Sequence, residues 1–380
     1  LVMRHMYSAG AVQKLSDGAV DINADGANNE YIDLGTIPIT TNDVSMGCWV
    51  YVTEFGANAN NACYIENRDN SSPNAGISLR NDGTNSKFEA LLDYGSGVFQ
   101  ATTGTINTHQ WYHILTTIDR DGNMVLYVNG VADATTNISA QSSVNLTHST
   151  TAKIGQKIGG GSEIMGYVCN AGYWNRVLTQ AEIKSIMFKQ YADLSTSEKT
   201  SLVSFWNLDE VYSSSDGDTN IVFDDYHNGG ESLGSEMAID GNFDNNGASW
   251  TTDANFATTV TISNNAVTMT NNGTTGFGSV QQGAPSDGSG VEVDFIDGTW
   301  YKLTFDVTAI TTSNVIVVYN YNSNLTKTLE GTSAPITVTD YFLASNTDGI
   351  DIRAVLKNGE SITIDNISVK KVNGNPGELK

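Results

Sequence analysis

Basic residues are scarce in this chain of 380: 19 Lys and Arg stand against 42 Asp and Glu, a formal charge of −23. A surface of that sign repels phosphate backbones and anionic lipid at long range, so nucleic acid is not an expected partner. Its carboxylate oxygens instead suit hard cations, which makes calcium the plausible metal. Cysteine is scarcer still. Cys48, Cys63 and Cys169 are odd in number, which rules out a complete disulfide framework within the chain, and no Cys-x-x-Cys spacing offers a thiolate zinc site. They read as small core hydrophobes, with one disulfide plus a free thiol as the alternative.

Long apolar runs are also missing: nothing approaches the length of about 20 residues that a bilayer needs, so membrane insertion is not expected. The opening LVMRHMYSAGAVQKL lacks the apolar core of a secretory leader. Either a leader has been removed or export happens without one, as in a virus particle released by lysis. Proline is rare at 5 while glycine is abundant at 37, and Thr, Asn, Ser and Val recur in short runs broken by Gly, Asn and Asp. Many short strands with tight turns require that pattern, so the chain is expected to be nearly all β, and its length favours two domains.

The stretch around which the first half is organised is 111–130, WYHILTTIDRDGNMVLYVNG. Polar, φ-permissive residues at 119–123 separate two runs rich in β-branched and aromatic side chains, which predicts a hairpin. Met124, Leu126 and Val128 fall on one face of its second strand and Val125, Tyr127 and Asn129 on the other. Residues 44–53, VSMGCWVYVT, alternate in the same way, with Trp49 expected in the core. Further strands are expected at 63–66, 76–80 and 87–94, and the polar loops at 56–61, 67–75 and 81–86 are candidate binding loops by position. Thr179 and Glu182 form a capping box that opens a short helix toward Tyr191, and Ser195 with Glu198 repeats the arrangement.

The hairpin resembles the central hairpin of laminin-G-like, concanavalin-A-type lectin domains, with its Trp-Tyr-His strand and Leu-Tyr-Val-Asn-Gly strand. DGANNEYIDLG at 25–35 is similar to that group's opening strand, and IGQKIGGGSEIMGYVCNAGYWNRVLTQAEI, ending at Ile183, to its closing segment. The matches run over about residues 19–192. Beyond them, 201–234 resembles an element common beside such domains, and its Asp209, Glu210, Asp216, Asp218, Asp224 and Asp225 read either as a solvated acidic linker or as a metal site. From 235 onward, IDGNFD followed by Trp250 looks like the opening of β-jelly-roll carbohydrate-binding modules, and SITIDNISV at 361–369 like their closing strand. Asp240 departs from the asparagine usual there.

The expected architecture is therefore all-β, two β-sandwich (jelly-roll) domains in tandem with a short helix closing the first. An N-terminal arm at 1–12, a lectin sandwich at 13–192, an acidic connecting segment at 193–234 and a jelly roll at 235–380 divide the chain. The module resemblance implies a structural calcium ion joining first and last strands, and Asn242 and Asp365 match those positions with Asp240 beside them. Sugar recognition needs exposed ring faces with polar partners, for which Trp250, Phe277, Tyr319 and Tyr321 are the candidates. Catalytic readings have less to stand on. No Glu-x-Asp-x-x-Glu strand of the laminarinase-like relatives is present, and Glu89 and Asp93 share a strand face without other marks of an acid/base pair. Nor is there a Gly-x-Ser-x-Gly elbow, a His-Glu-x-x-His pair or a phosphate loop, and His113 reads as structural. The expectation is a non-catalytic protein that binds polysaccharide or glycoconjugate. The resemblance points to a phage virion component (head fibre, decoration or tail fibre) held to other subunits through the arm. A purely structural protein, or the non-catalytic part of a secreted glycan-active enzyme, are the alternatives.

Overall fold

The computed structural model describes residues 18–23, 30–55, 61–69, 75–82, 86–160, 162–214, 220–227, 233–283, 293, 295–311, 334–344 and 349–380, and the backbone of 314–319 and 326–330. The expected arm at 1–12 lies outside the described residues, as do most of the three candidate loops. Two compact units emerge: Leu1–Tyr212 with Ile221–Ser232 and Gly374–Lys380, and Ser213–Asn220 with Leu233–Asn373. Both are built of antiparallel sheets, and Gln180–Ile186 is the α-helix among the described residues. The all-β expectation holds. That helix is neither long nor apolar enough to cross a membrane.

In the first unit one sheet runs Val20–Asn23, Met165–Trp174, Val44–Val52, Trp111–Ile118, Asn123–Val128, Val131–Asn137, with Leu202–Trp206 also paired to Met165–Trp174. The hairpin forms as expected, Ile114 opposite Val128 and Ile118 opposite Met124, closed by a turn in which Gly122 N donates to Asp119 O. The facing sheet carries Ile32–Asp33, Lys153–Ile154, Cys63–Arg68, Ala75–Asp82, Lys87–Tyr94 and Val98–Thr102. Alternation decides what lies between the sheets. Met46, Cys48, Val50 and Val52 point inward with Met124 and Leu126, into a core that also holds Phe88 and Leu92. All three cysteines are free and buried, and burial pushes the Cys48 and Cys63 thiols well above the ordinary range.

The opposite face of the first sheet is covered along part of its length. The capping box forms, Glu182 N donating to Thr179 Oγ1 and Thr179 N to Glu182 Oε2, and the helix it opens stops at Ile186. Ile183 and Ile186 pack with Leu115, Trp174 and Phe205 into a second, smaller core. Trp49 is fully buried beside it, its indole N–H donating to Met187 O at 2.8 Å. His113 lies edge-on to Trp49 at 5.5 Å, and burial lowers its pKa to about 3, so the ring is neutral and structural.

Within 193–234, expected as a connecting segment, residues 193–212 and 221–232 belong to the first unit. Leu202–Trp206 extends the sheet, and Asp224, fully buried, accepts from Phe205 N at 2.9 Å, Tyr226 N at 3.1 Å and Asn375 N at 3.0 Å. Asp225 accepts from Asn207 N at 2.7 Å. These carboxylates satisfy backbone donors that the sheet leaves unpaired, which is why they are buried rather than solvated. The tail, assigned from sequence to the second module, pairs Gly377–Leu379 with Ile32–Asp33 in the first unit.

The second unit is a sandwich of a six-stranded and a five-stranded sheet. The first runs Thr258–Ser263, Ala266–Asn271, Ser361–Val372, Trp300–Ile310, Ile336–Leu343, with Leu233–Glu236 on Ser361–Val372. The second runs Thr251–Ala254, Gly276–Gln282, Ile350–Leu356, Asn314–Tyr319, Thr326–Glu330. Trp300–Ile310 alternates buried and half-buried over most of its length, and its Tyr301, Leu303, Phe305 and Val307 enter the core with Phe243, Ile352 and Ile364.

Candidate functional site

The part of the first sheet's outer face that no described element covers carries a transverse row. Asp21 stands opposite Tyr167, Tyr167 opposite Tyr51, and Tyr51 opposite Trp111, across four neighbouring strands. Residues directly opposite in an antiparallel ladder share a face, so one carboxylate and three rings line up over about 14 Å. The rings converge. Centroids lie 5.5 Å apart for Tyr51 and Trp111, 5.8 Å for Tyr51 and Tyr167, and 6.5 Å for Trp111 and Tyr167, all tilted or edge-on. Tyr167 is 36% exposed, while Trp111 is half-buried against the main core.

Close backbone approach makes the row possible. Gly166 sits at φ 144°, and a Cβ there would stand 1.7 Å from Tyr51 O, so only glycine lets the two strands meet at this point. At the sandwich end beside the row, Thr53 N donates to Met165 O at 2.9 Å and His109 N to Val52 O at 2.7 Å. His109 adopts a left-handed φ of 61°, which turns its ring to 6.5 Å from Tyr51, and Nδ1 lies 3.0 Å from Thr108 Oγ1. Between these elements opens a cavity of about 660 Å³, bordered by Asp21, Glu54, Phe55, His109 and Tyr167. Partial desolvation at the sheet surface, then the charge of Glu30, pushes the Asp21 carboxyl above its ordinary value. Ring faces beside carboxylates, an imidazole and hydroxyls are what holds a molecule with both apolar C–H faces and polar edges.

The family model described as the concanavalin A-like lectin/glucanases superfamily matches residues 25–184. That segment is a concanavalin A-like domain. No curated protein matches the chain. Among solved structures, a putative carbohydrate binding protein from Bacteroides ovatus is 16% identical with a TM-score of 0.42, covering 56% of this chain and 56% of its own. The Ruminococcus gnavus IT-sialidase CBM40 bound to α2,3 sialyllactose is 13% identical with a TM-score of 0.34, covering 45% of this chain and 96% of its own. The heptameric SAP-like pentraxin of Limulus polyphemus is 16% identical with a TM-score of 0.35, covering 44% and 80%. At such TM-scores no ligand of this chain follows from them.

The concanavalin A-like domain also holds Glu89 and Asp93, and the structure shows what engages them. Glu89 accepts from Arg80 Nε at 2.7 Å and from Gln100 and Thr102, while Asp93 pairs with Arg68 at 3.1 Å. Arg68 also binds Glu66 at 3.0 Å, and Glu66 accepts from Ser78 Oγ at 2.9 Å and from Ile158 N. All five charged side chains are buried. They form two buried ion-pair groups, Arg80 with Glu89 and Arg68 with Glu66 and Asp93, so that each carboxylate contacts an arginine.

Of the four ring residues chosen from sequence in the second unit, Trp250 and Phe277 have described side chains. Trp250 is 6% exposed, donates its indole N–H to Asp240 O at 3.0 Å and packs 5.4 Å from Phe243, so its ring belongs to the core. Phe277 is half-buried with the Arg353 guanidinium 4.4 Å from its centroid, and Arg353 pairs with Asp351 at 2.9 Å. Tyr319 pairs by backbone register with Ile352, whereas Phe277 pairs with Val355. Tyr321 lies outside the described residues.

The residues expected to hold calcium make local hydrogen bonds, with one carboxylate oxygen left over. Asp240 accepts from Asn245 N at 3.1 Å while its other oxygen is buried without a partner, and Asn242 donates to Asp244 at 2.5 Å. Asp365 accepts from Asn366 N at 2.6 Å; burial raises its carboxyl, that N–H lowers it, and the charges of Asp306 and Asp244 raise it further. Among the described residues no group of three or more Asp, Glu, His or Cys could hold a metal ion. Sequence reasoning passed over Tyr51, Trp111 and Tyr167; each sits in a stretch it placed correctly in the lectin-like half, and only their register was out of reach.

Proposed function

We propose that the protein binds polysaccharide or glycoconjugate without cleaving it, and that the aromatic row of the concanavalin A-like domain is the contact surface. The observation that carries this is the alignment of exposed Asp21 and Tyr167 with half-buried Tyr51 and Trp111 on one strip beside a 660 Å³ cavity. Pyranose rings stack a C–H face on such rings while their hydroxyls reach the polar rim. The non-catalytic reading is supported by Glu66, Glu89 and Asp93, each hydrogen-bonded to an arginine and buried away from that strip. Glycan of this kind is met outside a cell or at a virion surface, where an acidic, strand-rich protein serves adhesion.

The test is a glycan array followed by calorimetry on the best ligand. Tyr167→Ala removes an exposed ring and is expected to weaken binding by about 1 kcal/mol, with a comparable loss for Trp111→Ala. An array with no hit, or hits whose affinity ignores both substitutions, would sink the reading; release of reducing ends from a bound glycan would sink its non-catalytic half.

A further inference from the structure

We infer that the ligand is an amino-bearing polysaccharide, one whose sugar rings carry free cationic amines, and that Asp21 and Glu54 select it. This rests on the proposed glycan-binding role and narrows it to a chemical class. The aromatic row ends on a carboxylate: Asp21 is the residue directly across from Tyr167 and is itself exposed. The cavity that continues from that end is also bordered by Glu54, and among the described residues lining it there is no Lys or Arg. The Glu30 charge also acts on Asp21, and the whole chain carries −23.

A glucosamine-type ring presents both things this strip offers partners for. Its C–H face stacks on Tyr167 and Tyr51, and its ammonium meets carboxylate oxygens at the end of the row, a charge-assisted contact beside aromatic faces that also favour cations. An N-acetylated ring keeps the stacking and loses the charge. A uronic acid or sulfated sugar brings like charge against Asp21 and Glu54, which disfavours it by repulsion.

The experiment uses the full chain and three oligosaccharides of one length and linkage: β-1,4-linked glucosamine, its fully N-acetylated form and β-1,4-linked glucose. Affinities are measured by calorimetry at low salt and at about pH 6, where free amines are protonated. Exposed ion pairs contribute up to about fivefold each, so the glucosamine oligomer is expected to bind about tenfold tighter than the other two, with the advantage shrinking in high salt. In Asp21→Asn/Glu54→Gln the three affinities are expected to converge. That variant shifts a net charge of −23 by only two, so convergence separates a local contact from general attraction of a polycation to an acidic protein. Equal or stronger binding of the neutral oligomers overturns the inference while leaving glycan binding in place. A glucosamine preference that survives the double substitution overturns the assignment to Asp21 and Glu54, and absence of binding to every glycan removes the underlying reading instead.

Discussion

At Gly166 a Cβ would meet the Tyr51 carbonyl oxygen at 1.7 Å, on a backbone whose φ of 144° already excludes most side chains. Relief requires the strands to separate where Tyr51 and Tyr167 face each other. Gly166→Ala is therefore expected to destabilise the first unit by about 2–4 kcal/mol and to weaken glycan binding as well, read from denaturant unfolding and calorimetry. Glu198 is a second residue whose chemistry is set by neighbours. Burial alone would raise its pKa, but hydrogen bonds from Lys189 Nζ at 2.7 Å and Ser195 N at 2.7 Å prevail and bring it to about 2. A folded pKa below the unfolded one means that its contribution is present above about pH 4.5 and is lost as pH falls toward 2. Melting curves of the parent and Glu198→Gln should differ at neutral pH and converge near pH 2, and a gap that persists at pH 2 would contradict this account.

Among the described elements, Leu202–Trp206 is held on one side by the ladder to Met165–Trp174 and on the other by side chains. Asp224 takes three backbone N–H groups, from Phe205, Tyr226 and Asn375, at no exposure to water. Its carboxyl is raised by burial, opposed by those same donors, so it is retained for the donors it satisfies rather than for its charge. Asp224→Ala would leave three buried N–H groups without an acceptor, an expected loss of about 3 kcal/mol or more in urea unfolding. Local chemistry made the Gln180–Ile186 helix legible in sequence, because its capping box joins residues three apart. The same reasoning could not find Asp224, whose Asn375 partner is 151 residues away, and a run of acids reads as a solvated segment unless its backbone partners are known.

Over the whole molecule, strand identity and face were readable because a two-residue period declares both, but the site depends on register between strands far apart in the chain. Tyr167 meets Tyr51 across 116 residues and Tyr51 meets Trp111 across 60, separations that no pattern within one strand encodes. Trp250 was misplaced for the converse reason: a tryptophan beside turn residues looks available until the Phe243 ring and the Asp240 carbonyl are seen to enclose it. Connectivity shows the same separation at larger scale. After Asn373 the chain leaves the second unit, and Gly374–Lys380 belongs to the first. There Asn375 accepts the Trp206 indole N–H at 2.8 Å and donates to Asp224, while Gly377–Leu379 pairs with Ile32–Asp33. Removing 374–380 therefore takes hydrogen bonds and a strand from the amino-terminal unit, although the cut lies beside the carboxy-terminal one. The expected outcome is a loss of about 2–4 kcal/mol in unfolding followed by Trp206 and its neighbours, with hydrogen exchange rising at Ile32–Asp33 and at Phe205. If protection instead falls first in Ser361–Val372, the tail's contribution lies elsewhere and the division of the chain into these units is wrong.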